Sequence, residues 1–266
     1  MNAFVDTSLK GQHALVTGGG RGIGAAIAEA LAAHGAQVTV MARTLSAVER
    51  TAQSLREKFE TSARGIACDV SQPDEVKRAF HEAVSASGAV HILINNAGQA
   101  REAEALEEVS LDNWNRLIAV NLTGTMLCSQ QVLPAMRAVG SGRIVNVVST
   151  AGLRGYAGLA PYCASKHGVI GLTRALAAET ARSGITVNAV CPGYTEGTEM
   201  FTMAVENVMR TRGVSADEAR ALVAKHSPRR TPITPKEVAD TVLWLCSPGA
   251  SAITGQAVAI ASGEVM

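Results

Sequence analysis

Short apolar runs alternate along the chain with longer segments in which apolar residues recur at helical spacing. The apolar runs predict strands at 13–17, 37–42, 65–70, 90–95, 143–149, 186–191 and 257–261. The longer segments predict helices at 23–34, 46–59, 73–87, 114–139, 161–183 and 235–246, with Pro134 kinking or breaking the fourth of them. Because the strands are continuously apolar rather than alternating, we expect helices to cover both faces of the sheet. The pattern predicts the α/β class: one Rossmann-like domain spanning 1–266, built on a doubly wound parallel sheet.

One long segment, 195–232, stands outside this alternation. It is polar, contains methionines and has prolines at its flanks. In a doubly wound sheet, ligands bind beyond the carboxyl ends of the strands, and this segment follows the strand predicted at 186–191. We therefore interpret 195–232 as a substrate lid, with an ordinary surface helical hairpin as the alternative.

Composition and charge narrow the function classes. The 266 residues carry a formal net charge of +1 without a block of like charges, which argues against a dedicated nucleic-acid binder. No long uninterrupted apolar run predicts a membrane span, and the first ten residues lack the basic and apolar regions of a signal peptide. The five cysteines form no Cys-x-x-Cys pair and the six histidines show no metal spacing. We therefore expect no disulfide framework, no metal site and a cytoplasmic location.

The first candidate site is a glycine turn. Residues 17–24 read Thr-Gly-Gly-Gly-Arg-Gly-Ile-Gly, between a predicted strand and a predicted helix. Gly18, Gly22 and Gly24 allow the backbone to turn tightly and to approach a pyrophosphate at the helix N-terminus. The spacing differs from the commoner Gly-x-Gly-x-x-Gly, and a purely structural turn is the alternative.

The end of the second predicted strand indicates which dinucleotide binds. NAD-type sites place Asp or Glu about 20 residues beyond the glycines. Here residues 41–44 read Met-Ala-Arg-Thr, and the nearest downstream acid is Glu49. The guanidinium of Arg43 suits a 2′-phosphate, and Arg21 in the glycine turn is positioned to help. This favours NADP(H), with NAD(H) as the alternative if Arg43 is a solvated loop residue.

The second candidate site combines a serine, a tyrosine and a lysine. Tyr162 and Lys166 are four residues apart in a predicted helix, which places them on one face. A tyrosine with its free pKa of about 10 is a poor acid at neutral pH, and a nearby ammonium lowers that pKa. Ser149 ends the preceding strand at the carboxyl edge of the sheet, where its hydroxyl can bond a substrate carbonyl oxygen.

Together these features resemble the short-chain dehydrogenase/reductase family over essentially the whole chain. The matching motifs are Thr17-Gly18-x-x-x-Gly22-Ile23-Gly24, Asp69 after the third strand, Asn95-Asn96-Ala97-Gly98, Asn121, Ser149, Tyr162-x-x-x-Lys166 and Pro192-Gly193. Their order and spacing make the resemblance specific.

The resemblance implies a catalytic set of four residues. Tyr162 would be the general acid in ketone reduction and the general base in alcohol oxidation. Lys166 would hold the nicotinamide ribose and lower the pKa of the tyrosine, and Ser149 would position the substrate oxygen. Asn121 would hold a water that links Lys166 to solvent as a proton relay.

The residue patterns and the resemblance together predict these cofactor-binding residues: Gly18, Arg21, Gly22, Ile23, Gly24, Arg43, Asp69, Val70, Asn95, Ala97, Gly98, Tyr162, Lys166, Pro192, Gly193 and Thr195. Asp69 and Val70 would contact the adenine, residues 95–98 would line the adenosine ribose, and 192–194 would lie against the nicotinamide. Either Thr195 or Thr198 would approach the nicotinamide carboxamide.

The implied activity is hydride transfer between NADP(H) and a ketone or secondary alcohol. Residues 161–169 and 184–193 are similar to bacterial polyketide ketoreductases, 3-oxoacyl thioester reductases and 3-hydroxyacyl-CoA dehydrogenases. The implied substrate is therefore a small-molecule carbonyl compound or alcohol, which includes carrier-bound thioesters. The family resemblance also implies a homotetramer. The alternatives are a catabolic NAD-dependent dehydrogenase of a hydroxyacyl-CoA or cyclic alcohol, and a catalytically silent cofactor-binding subunit, against which the intact catalytic set argues.

The end of the chain departs from the family pattern. The last strand is usually followed by Asp-Gly-Gly, whereas here Ala261, Ser262 and Gly263 follow. This departure is expected to change either the subunit packing or the rim of the site.

Overall fold

The computed structural model describes residues 9–265. Of the ten residues on which the signal-peptide prediction rests, 1–8 lie outside this range. The described strands are β1 His13–Thr17, β2 Gln37–Ala42, β3 Ala63–Ala67, β4 Ile92–Asn95, β5 Gly142–Val147, β6 Ile185–Pro192 and β7 Ala257–Ile260. They form one parallel sheet in the order β3-β2-β1-β4-β5-β6-β7.

Helices cover both faces of this sheet. They are α1 Gly22–Ala33, α2 Leu45–Phe59, α3 Pro73–Ser87, α4 Leu111–Ile118, α5 Gly124–Val139, α6 Ala160–Thr180, α7 Glu199–Arg212, α8 Ala216–Ala224 and α9 Pro235–Cys246. One hydrophobic core joins α1, α2 and α9 to the sheet, and a second joins α3, α5 and α6 to its other face. Neighbouring strand residues such as Leu15 and Val16 belong to opposite cores, because side chains alternate along a strand. The predicted single-domain, doubly wound α/β fold is confirmed.

The long helix predicted at 114–139 is wrong in one respect. The chain leaves α-helical geometry at 119–123, in a wider π-type turn, and Pro134 lies inside α5 without ending it. The interruption coincides with a tertiary contact. The side chain of Asn121, in the middle of this turn, is hydrogen-bonded to the backbone of Gln99 on a neighbouring loop. Such π-type turns are frequent at functional sites.

The third predicted strand is also displaced. It was placed at 65–70, whereas β3 ends at Ala67. The backbone of Cys68 still bonds to Ala42 on β2, but Asp69 then accepts from the amide and the hydroxyl of Ser71. This turn ends the strand and leads into α3. The other predicted boundaries differ from the observed ones by a few residues, which is usual for element ends.

The segment 195–232 leaves the sheet and returns to nearly the same point. Thr195 pairs with Ile233 in a parallel bridge, and the amide of Ile233 donates to the carbonyl of Tyr194 at 2.8 Å. Between these ends, α7 and α8 form a helical hairpin around a small core of Phe201, Val205, Ala219 and Val223. We call residues 195–232 the hairpin segment. The hairpin segment thus has the conformation of a helical hairpin. Whether it also acts as a substrate lid stays a prediction.

Candidate functional site

The carboxyl ends of the parallel strands open into a cleft of about 590 Å³. It is lined by the glycine turn, by the chain after β2, β3, β4, β5 and β6, and by the start of the hairpin segment. The predicted site residues that line it are Gly18, Arg21, Gly22, Ile23, Gly24, Arg43, Asp69, Val70, Ala97, Gly98, Ser149, Tyr162, Lys166, Pro192, Gly193 and Thr195. Sequence elements separated by more than a hundred residues thus meet at one edge of the sheet.

The glycine turn is held close to the end of β4. Gly18 has a positive φ of 66°, and a Cβ there would lie 2.7 Å from the side-chain nitrogen Nδ2 of Asn96. A Cβ on Gly24 would collide with the carbonyl oxygen of Gly18. The Asn96 side chain donates to the carbonyls of Thr17 at 2.9 Å and Gly18 at 3.1 Å. The turn therefore needs glycine at these positions, because the backbone segments approach each other closely. The same close packing leaves room for a pyrophosphate against the backbone amides at the start of α1.

Two arginines face the cleft beside this turn. Arg43 follows β2, and its two terminal nitrogens donate to the side-chain oxygen of Gln99 at 3.0 and 3.1 Å when that amide is oriented to satisfy both groups. Arg21 is bonded to Glu199, at the first turn of α7, at 2.6 Å. No carboxylate lies in residues 41–44 at the end of β2. The adenosine end of the cleft thus offers guanidinium groups to an anion.

The serine, tyrosine and lysine meet at the other end of the cleft. Tyr162 and Lys166 lie in the first two turns of α6 and are 7% and 5% exposed, and Ser149 follows β5. The Lys166 ammonium donates to the carbonyl of Val147 at 3.0 Å and lies 5.7 Å from the centre of the Tyr162 ring. The Ser149 hydroxyl accepts from the amide of Ala151 at 3.1 Å and is near enough to Tyr162 to lower the pKa of its hydroxyl. The three side chains are close enough to act on one substrate oxygen.

Burial controls the ionisation of this group. Desolvation raises the pKa of Tyr162 above its ordinary value, and the hydrogen bond from Ser149 opposes this rise. Desolvation also lowers the pKa of Lys166 to about 8. The resemblance predicts that Lys166 lowers the pKa of the tyrosine, whereas burial raises that pKa in the structure. The Lys166 ammonium donates to the Val147 carbonyl.

Asn121 lies behind the catalytic group rather than in the cleft lining. It is 1% exposed, and its side chain accepts from the amide of Gln99 at 2.8 Å and donates to the carbonyl of Gln99 at 3.0 Å and to Ser165 at 3.0 Å. The Asn121 Oδ1 and the Lys166 Nζ both lie next to Gly98: a Cβ on that glycine would be 3.4 Å from the first and 3.5 Å from the second. Asn121 is therefore placed near Lys166, and its relay role stays a prediction.

The side chain of Asn95 does not line the cleft, so its contact with the ribose stays a prediction. Asn95 is 4% exposed and donates to Asn146 at 2.9 Å and to Ser129 at 3.2 Å, in the interior between the sheet and α5. It still belongs to β4, so its side chain points to one face of the sheet rather than beyond the strand end. Ala97 and Gly98, after the strand, do line the cleft.

The two candidate threonines both stabilise the entry to the hairpin segment. Thr195 donates to the carbonyl of Gly193 at 3.0 Å. Thr198 donates to the carbonyl of Thr195 at 2.6 Å and accepts from the amide of Phe201, which caps α7. Both line the cleft, so the structure does not distinguish them as partners of the carboxamide.

Several residues of the site were missed from the sequence. Tyr156, Leu159 and Met200 pack around Tyr162, and Gln99 connects Asn121 with Arg43. Asn96 belongs to the Asn95–Gly98 motif, which is a usable sequence signal. The others come from distant segments without a motif of their own.

No group of three or more His, Cys, Asp or Glu side chains among residues 9–265 is arranged to hold a metal ion. No helix in the same range is long and apolar enough to cross a membrane. All five cysteines are free and buried.

Comparisons with known proteins agree with this geometry. The short chain dehydrogenase family profile matches residues 12–208. The chain is 42% identical to a Streptomyces coelicolor protein assigned as a ketoacyl reductase, over 94% of this chain and 95% of that protein. It is 36% identical to a 3-oxoacyl-(acyl-carrier-protein) reductase of Aquifex aeolicus, over 97% and 99%. The crystal structure of an actinorhodin polyketide ketoreductase variant with NADPH superposes with a TM-score of 0.90 at 41% identity, covering 95% of this chain and 97% of that one.

Proposed function

This chain belongs to the short-chain dehydrogenase family, and we propose that it reduces a ketone to a secondary alcohol with NADPH. The observation that carries the proposal is the placement of Ser149, Tyr162 and Lys166 at one end of a cleft whose other end is the glycine turn. A dinucleotide lying along such a cleft has its reactive ring beside the three side chains. The oxidoreductase class follows from the family, and the assignment of roles to residues is our proposal.

In the proposed mechanism, the chain's residues handle the proton. The reduced nicotinamide, when bound, supplies the hydride. Ser149 donates a hydrogen bond to the substrate oxygen and holds it beside the Tyr162 hydroxyl. Tyr162 gives its proton to that oxygen as negative charge develops there. Lys166, buried next to Tyr162, stabilises the phenolate that remains until a proton returns from solvent.

The residues present fit NADP(H). The close approach of Gly18, Asn96 and Gly24 forms a cradle at the start of α1, where backbone amides favour a pyrophosphate. Arg43, with no carboxylate beside it at the end of β2, favours a 2′-phosphate over a free ribose hydroxyl. Arg21 would contribute less, because its partner Glu199 already neutralises it and it is mostly exposed.

Replacing Arg43 by alanine should therefore change the cofactor preference. We expect kcat/KM for NADPH to fall about 10- to 100-fold, because the variant loses charged hydrogen bonds to the 2′-phosphate. The value of kcat/KM for NADH should change little. Initial rates with both cofactors measure this. The matched variant Arg21→Ala should have a smaller effect. An equal loss with NADPH and NADH would contradict the assignment of Arg43.

The substrate end of the cleft supports a small ketone with an apolar substituent. Met200 and Met203 line it from α7, and methionine side chains adapt to varied apolar groups. We propose that the hairpin segment acts as the substrate lid through these residues. A carrier-bound 3-oxoacyl thioester is the finer proposal, supported by the similarity to the Aquifex aeolicus reductase.

Acetoacetyl-CoA tests this activity directly. Oxidation of NADPH with this ketone, absent in Tyr162→Phe, would support thioester reduction. A preference for NADH would contradict the cofactor assignment and favour the catabolic dehydrogenase. Without turnover of acetoacetyl-CoA, a panel of cyclic and aryl ketones decides whether any ketone is reduced, and its failure would overturn the proposed function.

We also propose that the chain forms a homotetramer in the cytoplasm. β7 is an edge strand whose apolar side chains are partly exposed, and Trp244 on α9 is 42% exposed. Leu111 on α4 is 72% exposed and offers a second apolar contact. Covering such edges by a second copy is a common solution. The five free thiols suit a reducing compartment.

Light scattering tests the assembly. We expect a mass four times that of the 27.6 kDa chain. Trp244→Glu should shift the population to smaller species, because it places a charge in the proposed apolar contact. A monomeric wild-type chain would contradict the proposal.

A further inference from the structure

The last described residues of the chain lie behind the cleft wall formed by Gly193. Ser262 and Gly263 have positive φ angles of 50° and 88°, and the amide of Glu264 bonds back to the carbonyl of Ala261 at 3.0 Å. This turn directs the Glu264 side chain toward Tyr156, in the loop between β5 and α6. The departure from the usual Asp-Gly-Gly therefore lies at the rim of the site.

Glu264 and Tyr156 are directly bonded. The Tyr156 hydroxyl donates to the Glu264 carboxylate and lies 2.8 Å from the hydroxyl of Thr150, the residue after Ser149. The Arg154 guanidinium lies 4.5 Å from the centre of the Tyr156 ring, and it donates to the backbone carbonyl of Glu264 at 3.4 Å. Burial and the bond to Glu264 raise the pKa of Tyr156 to about 12, so its hydroxyl stays protonated at neutral pH.

The same carboxylate also touches the cleft wall. A Cβ on Gly193, which lines the cleft, would lie 2.8 Å from a carboxylate oxygen of Glu264. Because residue 193 is a glycine, the Glu264 carboxylate has room beside it. On its other side, the Tyr156 ring packs in a cluster with Tyr162, Leu159 and Met200. One bond therefore connects the chain's end to the ring that borders the catalytic tyrosine.

We infer that Glu264 is a positioning residue that fixes the Tyr156 ring against Tyr162, at the border of the substrate site. It fixes the ring beside Tyr162, where an apolar substituent on the substrate carbonyl carbon would pack. This inference rests on the proposed ketone reduction. Glu264 itself touches neither the substrate nor the reacting atoms, so its effect should appear in substrate KM and in selectivity between ketones rather than in the chemical step.

Steady-state kinetics with two variants test the inference. For Glu264→Ala and for Tyr156→Phe, we expect the ketone KM to rise about tenfold, the size of one lost hydrogen bond to a charged group. kcat and the Kd for NADPH should stay within about twofold of the wild-type values. The double variant should be no worse than either single one, because both remove the same bond. Glu264→Gln keeps an acceptor and should recover most of the wild-type KM.

A control separates this role from a general loss of stability. Glu57→Ala removes an exposed carboxylate from the last turn of α2, outside the cleft lining, and should leave KM unchanged. If Glu264→Ala lowers the melting temperature with an unchanged KM, or if the two single effects add, the inference is overturned.

A second measurement does not depend on turnover. Amide hydrogen exchange over residues 150–159 should be faster in Glu264→Ala than in the wild type, because the loop loses its tie to the chain's end. Unchanged exchange over this loop would overturn the inference, whether or not the wild-type protein reduces a ketone. If the wild-type protein reduces no ketone, that result alone would overturn only the proposed function. Faster exchange together with the KM effect supports both.

Discussion

Replacing Tyr162 by phenylalanine is expected to lower kcat for ketone reduction by about 10²- to 10⁴-fold, the usual contribution of a general acid. The change removes one hydroxyl and keeps the ring that packs against Tyr156 and Met200. Ser149 still lines the cleft and keeps its bond from the Ala151 amide. The loss should therefore fall on the proton transfer and not on the shape of the site.

Binding measurements make this result specific. The Kd for NADPH should stay within about threefold of the wild-type value, because the cradle and Arg43 lie at the other end of the cleft. The melting temperature should change little, since Tyr162 is buried mainly by apolar contacts. Turnover retained at near the wild-type rate, with folding intact, would contradict the role of Tyr162 as the acid.

Much of this site was predictable because parallel strands all end at the same edge of a sheet. The glycine turn follows β1, Arg43 follows β2, and Ser149 follows β5. Each residue had a local signal, a strand end or a helical spacing, and the topology then brought them together. For the same reason the α/β alternation could be recognised from apolar runs and helical spacing alone.

The parts that could not be predicted depend on tertiary packing. Asn95 was grouped with its sequence neighbours, but its last position in β4 turns the side chain into the interior. The pKa of Tyr162 depends on how completely α6 and the hairpin segment exclude water, which no local motif encodes. The Glu264–Tyr156 bond joins residues 108 positions apart, and neither belongs to a recognised motif. Such pairs are found only once the fold is known.

Lys166 provides the second large expected effect, which is visible in the pH dependence. Burial lowers its pKa from 10.5 to about 8, so the ammonium is present below pH 8 and is lost as the pH rises through that value. If the charge stabilises the tyrosine phenolate, kcat/KM for ketone reduction should fall above a pH of about 8. Tyr162 does not produce this limb, because burial raises its pKa above the ordinary value of about 10.

The variant Lys166→Met separates charge from packing. Its side chain is similar in length but neutral, so kcat should fall about 10²- to 10³-fold and the limb near pH 8 should disappear. Lys166→Arg keeps a charge that does not titrate in this range and should move the limb to higher pH, whatever its absolute rate. The measurement is a profile of kcat/KM between about pH 6 and 9.5 at saturating NADPH. A limb near pH 8 that persists in Lys166→Met would assign it to another group and remove Lys166 from the proton-transfer step, because a methionine cannot titrate.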